Sequence, residues 1–294
     1  MKITAVIDNY NSAIFVEEAI QSVLNQTRQP DELIIIDDGS TDKSVSIIEK
    51  AIQNISWATL ICKPNGGQLS CLTEGILASS GDLIALLDGD DLWKANHLEE
   101  AVKAYEANPN LSLYYCEYQT FGGNYKGVAR YPEGLLQSTF AVTALSESFF
   151  GNVTATLVFH RDALTPYLPF PKMLEKEWII NADNPLIWLS CFSGKHKFYN
   201  SNKNVKYRVH TNNMHKTSQK HSAKSRKRIA TKRLFEYFRR LFYIPNDIHK
   251  CLVREYSAHP TKSKNLRKAY LKAAANSHAT FLNKLLITIK LLIN

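Results

Sequence analysis

Apolar positions in the first third of the chain follow two alternating rhythms. Residues 2–7 form a short β-branched run, and the turn Asn9-Tyr10-Asn11-Ser12 follows. Across residues 13–25, Val16, Ala19, Ile20, Val23 and Leu24 then recur on one helical face. Leu33-Ile34-Ile35-Ile36 has the continuous apolar character of a strand covered on both sides, and leads through Asp37-Asp38-Gly39-Ser40-Thr41-Asp42 to a helix over about 43–53. A third run, 59–62, passes through Asn65-Gly66-Gly67 into a helix near 69–78. A fourth, 82–87, ends in Asp88-Gly89-Asp90-Asp91. The repetition predicts an α/β fold built on parallel strands.

With 294 residues and 45% apolar composition, the chain is long enough for one large α/β domain with an appendage. The five cysteines form no C-x-x-C pair and read as reduced, cytoplasmic core thiols. The N-terminus reads as a strand rather than a signal peptide. The most apolar stretch, 285–293, is interrupted by Lys290 and far short of the roughly 20 residues that a spanning helix needs.

Charge divides the chain. Residues 1–194 carry 12 Lys and Arg against 24 Asp and Glu; residues 195–294 carry 24 against 3. An acidic front suits cation binding, and a basic tail suits an anionic surface.

Ligands of open parallel sheets bind beyond the carboxyl ends of the strands, where Asn9-Tyr10, Asp37-Asp38 and Asp88-Gly89-Asp90-Asp91 fall. Two carboxylates one residue apart on an extended turn can face a hard cation such as Mn2+ or Mg2+, which would bridge diphosphate oxygens and neutralise a departing nucleotide. An isolated Asp-x-Asp is more often a solvated turn or a helix cap.

This one is not isolated. Residues 3–11, 19–27, 37–42, Asn65-Gly66-Gly67-Gln68 and Leu87-Asp88-Gly89-Asp90-Asp91-Leu92-Trp93 together resemble the ordered signature of the family 2 inverting glycosyltransferases of GT-A fold. The resemblance is strong over 1–115. It continues weakly to about 215, through Asn181-Ala182-Asp183-Asn184-Pro185 and Tyr207-Arg208-Val209-His210. It implies a Rossmann-like mixed sheet flanked by helices as a catalytic domain over 1–215, with a nucleotide-binding half to about 115 and an acceptor half over 116–215. Residues 216–294 lie outside it as a basic helical region.

Roles follow from the resemblance residue by residue. Tyr10 matches the aromatic that packs on the base, and Asp38 the carboxylate that accepts from the uracil ring nitrogen, implying a UDP-sugar donor; an entry aromatic and a helix cap are the plainer readings. Asp37 braces the turn. Asp90 matches the metal-facing carboxylate, Asp88 with Gly89 lies toward ribose or metal-bound water, and Asp91 sits beside the metal. Asn65 and Gln68 fall near the donor. His210 is a candidate for the metal or diphosphate shell, or else a solvated loop histidine. Asp8 stands where the family usually has proline, to touch the base edge or alter the turn. Asp183 is the expected catalytic base, kept ionised by a helix N-terminus; the preceding Ala182 replaces a common glutamate, and Asp183 as a mere N-cap is the alternative. Donor-sugar specificity is expected within residues 114–156. The acceptor implied is a glycan or lipid-linked glycan of bacterial surface polysaccharide or lipooligosaccharide.

In the tail, a helix over 224–242 gathers Leu234, Phe235, Phe238, Leu241 and Phe242 opposite Lys232, Arg233, Arg239 and Arg240. A second over 278–293 gathers Leu282, Leu285, Leu286, Ile289, Leu292 and Ile293. Either these faces pack on the catalytic domain or they lie on an anionic inner leaflet, making a cytoplasmic protein peripheral to the membrane. Nucleotidyl transfer and dinucleotide oxidoreduction are disfavoured for want of a Gly-rich loop after the first strand. The rival from another class is an inactive domain with a nucleic-acid- or membrane-binding tail; nucleic acid is not the expected partner, because the tail aromatics fit an amphipathic helix better than a stacking platform.

Overall fold

A computed structural model describes residues 1–123, 133–179, 181–210 and 221–293, the side chains of 221–224 aside. Residues 124–132 of the expected specificity segment, and residues 211–220, which include the start of the basic region at 216, lie outside the described residues. The front of the chain folds as β1 (Ile3–Asn9), α1 (Val16–Leu24), β2 (Glu32–Asp37), α2 (Ser44–Ile52), β3 (Ala58–Cys62), α3 (Gln68–Ala78) and β4 (Leu83–Asp88). Then come β5 (Leu92–Trp93), α4 (His97–Ala107), β6 (Leu111–Phe121), β7 (Gly134–Leu136), α5 (Phe140–Ser146), β8 (Leu157–His160), α6 (Lys172–Glu177), α7 (Asp183–Phe192) and β9 (His196–Arg208).

Among the described residues these strands form one sheet in the order β3-β2-β1-β4-β8-β6-β9-β5, with β7 on β9. The first four run parallel; β8 is antiparallel to both β4 and β6, which makes the sheet mixed. Strand alternation sorts the core into two layers. Ile3, Ala5 and Ile7 pack with α1 and α4, while Val6, Ile84 and Leu86 pack with α3, α5 and α7. The first strand runs past residue 7 to Asn9, and the fourth takes in Asp88. Both acidic tips are therefore ladder positions: Asp8 stands beside Asp88 and Asn9 beside Asp37.

The tail forms α8 (His221–Leu241), α9 (Leu252–Ala258), α10 (Lys264–Asn276) and α11 (Phe281–Ile293). Leu234, Phe238, Leu252, Tyr256 and Tyr270 are fully buried in the same cluster as Val6, Leu72 and Trp188. The apolar face of α8, with Phe235, Leu241 and Phe242 beside it, therefore lies against the catalytic body. For this helix the membrane expectation is corrected: an apolar stripe looks the same in sequence whether a core or a lipid surface covers it. Polar pins join the packing. Glu255 accepts from the Ala141 and Val142 amides at 2.8 and 3.0 Å and from Tyr270 Oη at 2.9 Å, and Arg233 pairs with Glu177. The face of α11 is a different case: Leu282, Leu285, Leu286, Ile289, Leu292 and Ile293 are exposed.

Candidate active site

The turn after β2 is held by Asp37. Its Oδ1 accepts from Asn9 Nδ2 at 2.7 Å and Ser40 Oγ at 2.6 Å, and its Oδ2 from the Ser40 amide at 2.8 Å. Asp37 thus braces the turn as expected. Asp38 is buried and faces the loop before α3: Oδ1 accepts from Lys63 Nζ at 2.6 Å and Gly66 N at 2.9 Å, and Oδ2 from Gly67 N at 2.8 Å. A carboxylate offers about four acceptor positions, so one remains for a ligand N–H. Gly67 supports this with φ +85, and a Cβ there would press on Ile179. Asn65 Nδ2 donates to the Asp38 carbonyl at 3.0 Å. Tyr10, just past the end of β1, is half exposed.

Asp8 and Asp88 lie on the α3 side of the sheet, where Gln68 Nε2, at the first residue of α3, donates to Asp88 Oδ1 at 2.7 Å. Gly89 donates its amide to the Asp8 carbonyl at 2.9 Å, and a Cβ at this residue would stand 3.0 Å from both Asn9 Oδ1 and that carbonyl; close packing of the strand tips is the immediate reason for glycine. Asp90 Oδ2 lies 2.8 Å from His210 Nε2, whose ring packs against Phe15. Asp91 turns inward instead: it is 1% exposed, and its Oδ1 accepts from the Arg208 amide at 2.8 Å. That bond anchors the turn to β9 through Oδ1 and leaves Oδ2 without a partner.

These carboxylates share one field. Burial, then Asp90, pushes Asp8 up to about 7. Burial, followed by Asp8, Asp91, Asp90 and Asp183, raises Asp88 well above the carboxylate range, and burial with Asp90 does the same to Asp91. Asp183 opens α7 as its first helical residue, with Ala182 before it at the cap position making no side-chain cap bond, so an N-cap role does not account for it. Burial raises Asp183 to about 6 against the pull of Lys227 and of the Asn184 amide. The amides at the helix end pull Asp183 down, as expected of a helix N-terminus, but desolvation outweighs them, so the group is raised while staying mostly ionised at neutral pH.

Whether these residues suit a divalent cation is decided by donor chemistry and unused oxygens. The donors are carboxylate oxygens and one imidazole, fit for Mn2+ or Mg2+. Asp8 Oδ1 and Asp91 Oδ2 are buried without a hydrogen-bond partner, so the centre holds oxygen acceptors that the fold itself does not use. Among the described residues no three Asp, Glu, His or Cys side chains gather into a self-sufficient metal cage.

Three participants escaped sequence reading. Arg208 reaches Asp90 O with Nε at 2.7 Å and Glu18 with Nη2 at 2.9 Å, and lies 4.5 Å from the Phe15 and Phe121 ring centroids. Lys63 closes on Asp38, and Lys227 of α8 brings positive charge to Asp183. None has a local signal, since each works on a residue far away in sequence; only the Tyr207-Arg208 motif pointed near one of them.

The family model for glycosyl transferase family 2 matches residues 4–165, and the chain belongs to that family: it is a nucleotide-sugar-dependent glycosyltransferase. An uncharacterized glycosyltransferase of Nostoc sp. is 32% identical over 225 residues, covering 73% of this chain and 67% of the relative. Glycosyltransferase GlyG of Streptococcus pneumoniae is 31% identical over 127 residues, 42% of each chain, so this chain matches less than half of that relative's length. Among solved structures, TarS 1-349 of Staphylococcus aureus in complex with UDP-GlcNAc superposes with a TM-score of 0.62 at 14% identity, over 99% of this chain and 80% of that one. The mannosyltransferase PcManGT of Pyrobaculum calidifontis, in complex with GDP-Man and Mn2+, gives 0.57 at 18%, with the same coverage. At such identities these structures speak for the GT-A fold alone.

Proposed function

We propose that the chain moves a hexose from a UDP-sugar to a hydroxyl of a glycan or lipid-linked glycan in bacterial surface polysaccharide or lipooligosaccharide assembly, at the cytoplasmic face of the membrane. The observation that carries this reading is the common field of Asp8, Asp88, Asp90 and Asp183 beside the Asp38 loop. The choice of uridine rests on Asp38, whose one remaining acceptor position suits the ring N–H of uracil, and on half-exposed Tyr10, whose ring offers a stacking face. The two solved neighbours, one with a UDP-sugar and one with GDP-Man, leave both bases open at the level of fold.

Asp90 would hold a divalent cation, with His210 and Asp88 beside it; when bound, the ion supplies charge neutralisation for the leaving diphosphate. Asp183 accepts the proton of the acceptor hydroxyl as the new C–O bond forms and the bond from the anomeric carbon to the phosphate oxygen breaks, with inversion at that carbon. A carboxylate near 6 is well matched to that proton transfer, being largely ionised at neutral pH yet more basic than an exposed aspartate. The inactive-domain alternative with a nucleic-acid-binding tail gains nothing from the geometry, because Phe235, Phe238 and Phe242 are spent on the core.

Calorimetric titration of UDP- and GDP-sugars with and without Mn2+ tests the reading. UDP binding strengthened by Mn2+ and lost in Asp38→Ala is expected; equal affinity for GDP would remove the assigned base, and no nucleotide binding at all would remove the function.

A further inference from the structure

The outward surface of α11 is at odds with a water-exposed helix. Of the fifteen large apolar side chains exposed among the described residues, seven lie on this one helix of 13 residues: Phe281, Leu282, Leu285, Leu286, Ile289, Leu292 and Ile293, between 43 and 84% exposed. At 100° per residue they fill one arc of about 140°. The opposite side carries Ile287 and Leu291, which pack on the core, and Lys284, which donates to the Ala275 carbonyl at 2.9 Å. The helix is thus fixed to the body by one apolar face and presents a second, continuous one to its surroundings. Outer faces of docked helices are ordinarily polar, and contiguous apolar patches mark interaction surfaces.

Charge decides the occupant. From Tyr256 onward the chain has no Asp or Glu, while Lys262, Lys264, Arg267, Lys268, Lys272, Lys284 and Lys290 are all basic. A second copy docked through α11 would bring lysines against lysines with no acidic residue in either segment to answer them, whereas anionic headgroups satisfy them directly. No described helix is long and apolar enough to cross a membrane, so contact is restricted to the interface. We infer that α11 seats the protein on an anionic phospholipid surface, with its outward apolar arc in the acyl boundary and the exposed basic side chains of the segment, Lys290 of α11 among them, drawn to the headgroups. Of the two tail helices expected to offer a membrane face, this keeps α11 alone, and it stands without the sugar-transfer reading.

Flotation of the full chain with phosphatidylcholine vesicles, with and without phosphatidylglycerol, tests it in the absence of nucleotide sugar. The expected result is binding that requires the anionic lipid, weakens with salt, and falls at least roughly tenfold in Leu285→Asp/Ile289→Asp, since two apolar side chains leave the boundary. Hydrogen exchange on the unmodified chain gives a second readout: vesicles slow exchange in α11 and leave β1 unchanged. Failure to float on anionic vesicles at low salt overturns the inference, as does undiminished flotation of the double variant. A dimer in size-exclusion light scattering that the same two substitutions dissociate assigns the face to a second copy instead, and equally overturns it. None of these results touches nucleotide binding, which is measured separately.

Discussion

Asp8 and Asp88 are register partners on the adjacent parallel strands β1 and β4, so two carboxylates stand side by side on one face of the sheet, with Gln68 of α3 donating to the second. Burial, then Asp90, holds Asp8 at about 7, so at neutral pH folding works against a carboxyl that is ionised in the unfolded chain. Asp8→Asn removes one of the two without changing shape. In metal-free buffer at neutral pH its melting temperature is expected to rise by several degrees, while the additional stabilisation on adding Mn2+ with UDP shrinks. Differential scanning fluorimetry across a Mn2+ series checks both, and a lower melting temperature without metal would mean that Asp8 is satisfied in the fold.

Asp183 gives the pH dependence. Burial raises it to about 6, partly offset by Lys227 and the Asn184 amide, with Asp88 as the acidic neighbour that feels it. A base works only when deprotonated, so kcat/KM should climb as pH rises through about 6 and level off above it, provided Mn2+ is saturating. Asp183→Asn should lower kcat by about 10²–10⁴-fold with UDP affinity unchanged. Its stability moves the other way: a carboxyl whose folded value is raised from 3.8 costs stability as pH climbs from about 4 past about 6. The asparagine variant, which has no charge to bury, should lose less stability over that range.

Lys63 and Asp38 form a buried ion pair at 2.6 Å that also holds the Gly66-Gly67 loop in place. Lys63→Ala leaves the carboxylate with only amide donors, and breaking a buried pair costs about 3 kcal/mol or more. UDP affinity should fall at least tenfold through loss of the preset loop, and Lys63→Arg should recover part of it. Calorimetry with UDP reads this directly; unchanged affinity in Lys63→Ala would show that the loop is held without the lysine.

Much of the sheet was legible because parallel strands covered on both faces leave long apolar runs, as in Leu33 to Ile36, and because their polar tips cannot be core. The candidate cluster followed from those tips. What stayed hidden depends on side-chain direction and on distant partners. Asp91 looks equivalent to Asp90 in sequence, yet points inward because β9 offers the Arg208 amide. The raised value of Asp183 comes from burial, which no local pattern carries. The stripes of α8 and α11 look alike, and only the position of α7 against α8 shows which of them is spent on the core: Trp188 and Phe192 of α7 pack against Phe235.

Arg208 joins three of these parts, and its shape is the reason. The guanidinium lies 4.5 Å from the centroids of Phe15 and Phe121, donates through Nε to the Asp90 carbonyl, and pairs through Nη2 with Glu18, while its own amide serves Asp91. A lysine can keep the charge but neither stacks as a plane nor donates in two fixed directions. In Arg208→Lys the backbone bond to Asp91 survives and the grip on the Asp90 peptide is lost, so the turn persists while Asp90 gains freedom. The expected signature is a rise of about tenfold in the Mn2+ concentration for half-maximal activity, with a melting temperature within about two degrees of the parent, in keeping with a loss of about 1.5 kcal/mol for a hydrogen bond to a charged group. Titrating Mn2+ at saturating donor and acceptor separates this from a lowered kcat. An unchanged Mn2+ requirement with a lower kcat would move the action of Arg208 from the Asp90 turn to the transferring group itself.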